Sequence, residues 1–104
     1  MSNGETWMAA QLDAAGIKYE TQHRFHPPRR WTFDFVIHQG GEYLFAVEVE
    51  GGQWIGGHKR GAAAETDLEK FNQAELDGWM VLRFSTSMVD DGRALATIRE
   101  ALDA

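Results

Sequence analysis

Three carboxylates, Asp34, Glu48 and Glu50, stand inside stretches whose other residues are typical of β-strands. Strand interiors disfavour Asp and Glu, and burying their charge costs stability unless an opposite charge partners it. In residues 31–37, Trp31, Phe33, Phe35 and Ile37 fall on one face and Thr32, Asp34 and Val36 on the other. In residues 43–50, Tyr43, Phe45, Val47 and Val49 share a face, and Leu44, Ala46, Glu48 and Glu50 share the opposite one. The link His38-Gln39-Gly40-Gly41-Glu42 carries a Gly pair, the signature of a hairpin. Folded back antiparallel, the two strands bring Asp34 beside Glu48 or Glu50. Carboxylates two strand positions apart, about 7 Å, repel by about 2 kcal/mol at an effective dielectric of about 20. A divalent cation removes that repulsion, and an all-oxygen donor set suits Mg²⁺ or Mn²⁺. The plainer alternative is an edge hairpin with a solvated polar face. It accounts for any one of these acids better than for all three beside an aromatic face.

Cationic and aromatic residues flank the acids. Arg29 and Arg30 immediately precede the Asp34 strand; they read as phosphate contacts, or as two solvated arginines on a loop. After Glu50 comes GGQWIGGHKRG (51–61), with five glycines in eleven residues. Such a stretch is a loop that bends sharply or lies close to another surface. Its Gln53, Trp54, His58, Lys59 and Arg60 suit contact with a sugar–phosphate backbone, while Trp54 taken alone reads better as tucked onto the core than as stacked on a base. His23 and His26 have a spacing seen in metal sites, but no further ligand stands near them.

The elements that must position these groups follow in order. Ser2-Asn3-Gly4-Glu5 is a capping box opening a helix to about Ala15, with Gly16 as its stop and Met8, Ala9, Leu12 and Ala15 as its apolar stripe. Glu5 lies at the end of that stripe, so it closes the capping box, reaches toward the acids, or does both. Ile17–Phe25 alternates as a strand, and Pro27-Pro28 forces an extended link. Ala62–Asp77 reads as a helix ended by Gly78, with Ala64, Leu68, Phe71 and Glu75 on one stripe and Asp67, Lys70 and Ala74 on the next. An Asp67–Lys70 pair three residues apart is the simplest role for both. Trp79–Phe84 is an almost unbroken apolar run, as in a strand covered on both faces. Ser85–Val89 reads as a turn, and Asp90 or Asp91 caps a final helix carrying Leu95, Ile98 and Leu102. The expectation is an antiparallel three-strand meander followed by a helical crossover to a parallel fourth strand, with Glu48 and Glu50 at the carboxyl end of the crossover strand, where sites of such sheets form.

At 104 residues, 43% hydrophobic and 12% aromatic, the chain is expected to fold as a single domain, 1–104, with one real core. No apolar run approaches membrane-spanning length, and MSNGETW has neither the basic nor the apolar part of a signal peptide. With no cysteine, disulfides, thiolate zinc sites and thiol nucleophiles are excluded. A cytoplasmic protein is the expectation. The net charge of −6 opposes nucleic-acid binding if taken whole. Residues 23–60, however, sum to +1 and hold all four histidines, and a metal neutralising the three acids would make this middle segment cationic.

The order αβββαβ, with Asp34 in the second strand and Glu48-Val49-Glu50 ending the third, resembles the PD-(D/E)XK nuclease superfamily. The tract VEVEGGQWIGGHKRG…D…EKFNQAELDGWMVLRF resembles a group of small phage and bacterial endonucleases related to very-short-patch repair and Holliday-junction resolvase nucleases. The likeness spans nearly the whole chain. It implies an α/β, restriction-endonuclease-like αβββαβ(α) core with a mixed four-stranded sheet flanked by helices. It further implies a Mg²⁺- or Mn²⁺-dependent DNA endonuclease of DNA repair or recombination. Its metal ligands would be Asp34, Glu48 and the Val49 carbonyl, with Glu5 as the first-helix acid near the metal. The sequence departs from the family in having Glu50 where the motif lysine is usual. Lys70 could project back as a migrated lysine, or Glu50 could bind a second metal or orient the attacking water. The 104 residues offer no separate specificity domain, so the expected DNA is branched, flapped or mismatched, cut by a possible homodimer. The alternatives are a catalytically silent nucleic-acid-binding module with the same fold, and an acidic interaction domain.

Overall fold

The computed structural model describes residues 2–50 and 62–103. Helix α1 (Asn3–Ala14) is followed by strands β1 (Tyr19–Arg24), β2 (Thr32–Gln39) and β3 (Glu42–Glu50). Helix α2 (Ala62–Leu76), strand β4 (Val81–Ser85) and helices α3 (Thr86–Asp90) and α4 (Arg93–Asp103) complete the chain. The sheet order is β1-β2-β3-β4, antiparallel except for the parallel β3–β4 pair. This is the expected α/β architecture: a mixed four-stranded sheet flanked by helices. Among the described residues no helix is long and apolar enough to cross a membrane.

Each face of the sheet has its own core. Phe35, Ile37, Phe45, Val47, Val49 and Phe84 pack against Met8 and Leu12 of α1, Val89 of α3, and Ala94 and Ile98 of α4. On the other face Phe33, Val36 and Ala46 pack against Ala74 of α2. The capping box is formed: Ser2 Oγ accepts from the Glu5 N–H and Glu5 Oε1 accepts from the Ser2 N–H. Gly40 and Gly41, both at positive φ, make the two-residue turn of the β2–β3 hairpin, as the twist of antiparallel strands prefers.

Several expectations are corrected. Phe33 does not share a face with Phe35 and Ile37; it packs on the α2 side with Val36, three residues away. The period of two breaks at Asp34, and opposite it Gln22 takes φ 50°. A second irregularity pairs Ile37 with Phe45 but His38 with Tyr43, leaving Leu44 as the extra residue. Tyr43 accordingly turns away from Phe45 and meets His23 and Trp79. Residues 85–89 are not a plain turn: Ser85 caps the short helix α3 by accepting from the Met88 N–H. Leu68, grouped with Ala64, Phe71 and Glu75 on one stripe of α2, is 65% exposed.

Candidate active site

Glu48 is the centre of the site. It is buried, with 6% of its surface exposed, and it lies where the ladder between β2 and β3 gives way. The regular pairing runs through Phe35–Val47. Beyond it, the carboxylates take over the work of the backbone. The Asp34 N–H donates to Glu48 Oε2 at 2.7 Å, and the Val49 N–H donates to Asp34 Oδ2 at 2.8 Å. Two buried amides are thereby satisfied by side chains instead of carbonyls, which closes the hydrogen-bond accounting of this stretch and fixes both acids.

Lys70 reaches the same acid from α2. Its ammonium donates to Glu48 Oε1 in a short contact, and both side chains are largely shielded, 14% and 8% exposed. Lys70 and Ala74, one helical turn apart, both face the sheet. The intrahelical partnering expected from spacing is thus superseded by a tertiary pair. Glu50, on the same face of β3, takes a different partner. Its Oε2 accepts from Nε and Nη2 of Arg83, both at 3.4 Å. Its carbonyl accepts from Thr86 Oγ1 at 3.3 Å.

Glu5 serves the capping box and also faces the site. Its Oε2 accepts from Gln22 Nε2 at 3.3 Å, and its charge acts on Asp34. Gly4 makes this approach possible: a Cβ there would come within 2.8 Å of Thr86 Oγ1 and 2.9 Å of Val49 Cγ1. Asp34 is the electrostatically unusual member. Burial, then the charge of Glu48, pushes its carboxyl up to about 7; Glu5 adds to the rise, while the Val49 hydrogen bond and Lys70 oppose it.

The structure thus brings together Asp34, Glu48, Val49 and Lys70, with Glu5 and Glu50 at the margins. Arg29 and Arg30 are not in that cluster. Arg29 stacks on Trp31, 3.8 Å from the ring centroid, and stands 4.0 Å from Glu69; Arg30 is exposed. His26 is engaged by Asp77 at 2.8 Å, and His23 lies against the rings of Tyr43 and Trp79. Gln53, Trp54, His58, Lys59 and Arg60 lie outside the described residues. Arg83 was not anticipated; the one sequence signal for it is a lone charge within the apolar run WMVLRF.

Among the described residues, no three His, Cys, Asp or Glu side chains converge as ready-made metal ligands. A two-carboxylate set still fits a hard cation, because Mg²⁺ commonly uses one or two carboxylates, with waters and substrate phosphate oxygens completing its shell. Asp34 and Glu48 share a shielded position, and Lys70 pairs with Glu48 there.

No protein-family model matches the chain, and no curated protein matches it. Among solved structures, the catalytic domain of the homing endonuclease I-Bth0305I is similar, with a TM-score of 0.71 and 22% identity over 97% of this chain and 94% of that one. The fold is that of a nuclease catalytic domain. The alignment spans both chains almost completely, so the sheet, α1 and α2 that carry Asp34, Glu48, Glu5 and Lys70 all belong to the shared architecture.

Proposed function

We propose that this protein is a divalent-metal-dependent DNA endonuclease that hydrolyses phosphodiester bonds, with branched, flapped or mismatched DNA as its substrate class. The observation that carries the reading is the Asp34–Glu48–Lys70 cluster, built where β2 and β3 part on a nuclease fold. Asp34, Glu48 and the Val49 carbonyl would hold Mg²⁺ or Mn²⁺. The bound ion would supply Lewis-acid activation of the attacking water and charge neutralisation at phosphorus.

The protein's own groups do the rest. The Val49 amide orients Asp34 through its hydrogen bond, and the Asp34 amide orients Glu48. Lys70 places a positive charge beside the reacting phosphate, the role the motif lysine has in the family it resembles. Glu50, tied to Arg83, stands at the margin and is suited to orienting the water.

The test is cleavage of labelled single-stranded, duplex, flap and four-way-junction DNA with Mg²⁺, Mn²⁺, Ca²⁺ or EDTA, comparing wild type with Glu48→Gln. Cleavage that requires Mg²⁺ or Mn²⁺ and is lost in the variant is the expected result. Binding without cleavage on every substrate would instead identify a silent DNA-binding module, a reading favoured by Glu50 standing where a lysine is usual.

A further inference from the structure

We infer that Arg83 is a substrate-binding residue whose guanidinium holds a backbone phosphate of the DNA strand beside the acidic pair. The inference rests on the nuclease reading above.

Arg83 is the direct neighbour of Glu48 across the parallel β3–β4 pair. Its guanidinium lies 4.1 Å over the ring of Phe71 on α2, so the plane of its donor fork is set by stacking. Both of its contacts to Glu50 are 3.4 Å and go to one oxygen. A charge-assisted bond is ordinarily about 2.7–2.9 Å, so the ring orients the fork while the acid holds it loosely. The side chain is 48% exposed, and an isolated exposed ion pair of this kind contributes little to stability.

Among the described residues, the other cations near α2 are committed elsewhere. Lys70 is shielded against Glu48, and Arg29 is stacked on Trp31 beside Glu69. Arg83 therefore presents a planar, oriented fork that is open to solvent next to the acids, the geometry that suits bidentate recognition of phosphate. Charge balance agrees. With all groups ionised, Glu5, Asp34, Glu48 and Glu50 outnumber Lys70 and Arg83 by two, so the bare cluster repels DNA. One divalent cation cancels that excess, and a phosphate can then draw the fork away from Glu50.

The experiment uses the full chain in Ca²⁺, with the DNA that wild type cleaves best in Mg²⁺, and measures Kd across a KCl series. Arg83→Gln should weaken binding about tenfold and flatten the log–log salt dependence by about 0.9, the loss of one phosphate contact. Arg83→Lys should keep the slope but bind several-fold more weakly, because it keeps the charge and loses the fork. A purely structural ion pair would leave both slope and Kd within twofold of wild type, and that result with a wild type that cleaves would overturn the inference alone. If Arg83→Gln does not fold, Arg83→Lys decides, and wild-type Kd and turnover in that variant would overturn the inference. A wild type that neither binds nor cleaves any substrate with any metal overturns the nuclease reading, and this inference with it.

Discussion

Glu48 answers to two partners at once, the Lys70 ammonium and the Asp34 amide, and its substitutions should separate fold from chemistry. Glu48→Ala strands a shielded ammonium and a buried N–H. Breaking such a pair costs about 3–5 kcal/mol, to be read as a lower melting temperature. Glu48→Gln keeps an oxygen acceptor and should melt closer to wild type. Both should lose cleavage: removal of about 4 kcal/mol of metal-borne transition-state stabilisation is roughly a thousandfold in rate. Asp34 yields a pH prediction. Its carboxyl is raised from the ordinary 3.8 to about 7, so the folded protein keeps a proton that the unfolded chain has released. The stability this group contributes is full below about pH 4 and is lost as pH rises through about 7. Asp34→Asn should therefore gain on wild type in thermal melts between pH 5 and pH 8, and a pH-independent difference would contradict the assignment. That Asp34 and Glu48 belong together was readable from two strands and a Gly-Gly turn. Which residue would partner Glu48 was open, because Lys70 lies 22 positions away and has a nearer acid on its own helix.

At the scale of elements, the site exists because regular structure is interrupted. The ladder between β2 and β3 stops at Phe35–Val47, Gln22 turns to positive φ, and Asp34 and Glu48 fill the gap. The docking of α1 is the other requirement. Val49 and Thr86 are β-branched and stiff at χ1, so neither can readily yield to a Cβ at residue 4 within 3 Å. Gly4→Ala should destabilise by about 1–3 kcal/mol through overpacking, despite alanine's better helix propensity. Chemical denaturation checks this, and a stabilised variant would mean that α1 does not seat where described. The capping box, both glycine-ended helices and the hairpin turn were legible because each rests on local chemistry within a few residues. The positive-φ break at Gln22 and the bulge at Leu44 were not: alternation gives the face of a residue only while the ladder is unbroken, so Phe33 and Tyr43 were assigned to the wrong side.

For the whole molecule, charge governs association. A chain of net charge −6 repels a polyanion, and binding to DNA should require the cation that converts the cluster. Affinity in 10 mM Ca²⁺ should exceed that in EDTA by at least about tenfold and should fall steeply with KCl; equal binding in EDTA would remove the metal from the interface. Metal alone should raise the melting temperature. At a metal concentration a hundred times the dissociation constant the gain is about 2.7 kcal/mol, and it should vanish in the Asp34→Asn, Glu48→Gln double variant.

By itself the sequence determined the element order apart from α3, the antiparallel meander with its parallel fourth strand, and the acids at the carboxyl end of β3. These follow from periodicity, turn residues and caps, which act over short spans of chain. Tertiary structure alone decided the partnerships: Lys70 with Glu48, Arg83 with Glu50 over Phe71, Glu5 brought near by a Gly4 without a Cβ, and Asp34 lifted toward neutrality. Each depends on distances between elements remote in the chain and on how much water is excluded there. Coulomb and desolvation energies are set by those distances and that burial, which no spacing along the chain specifies.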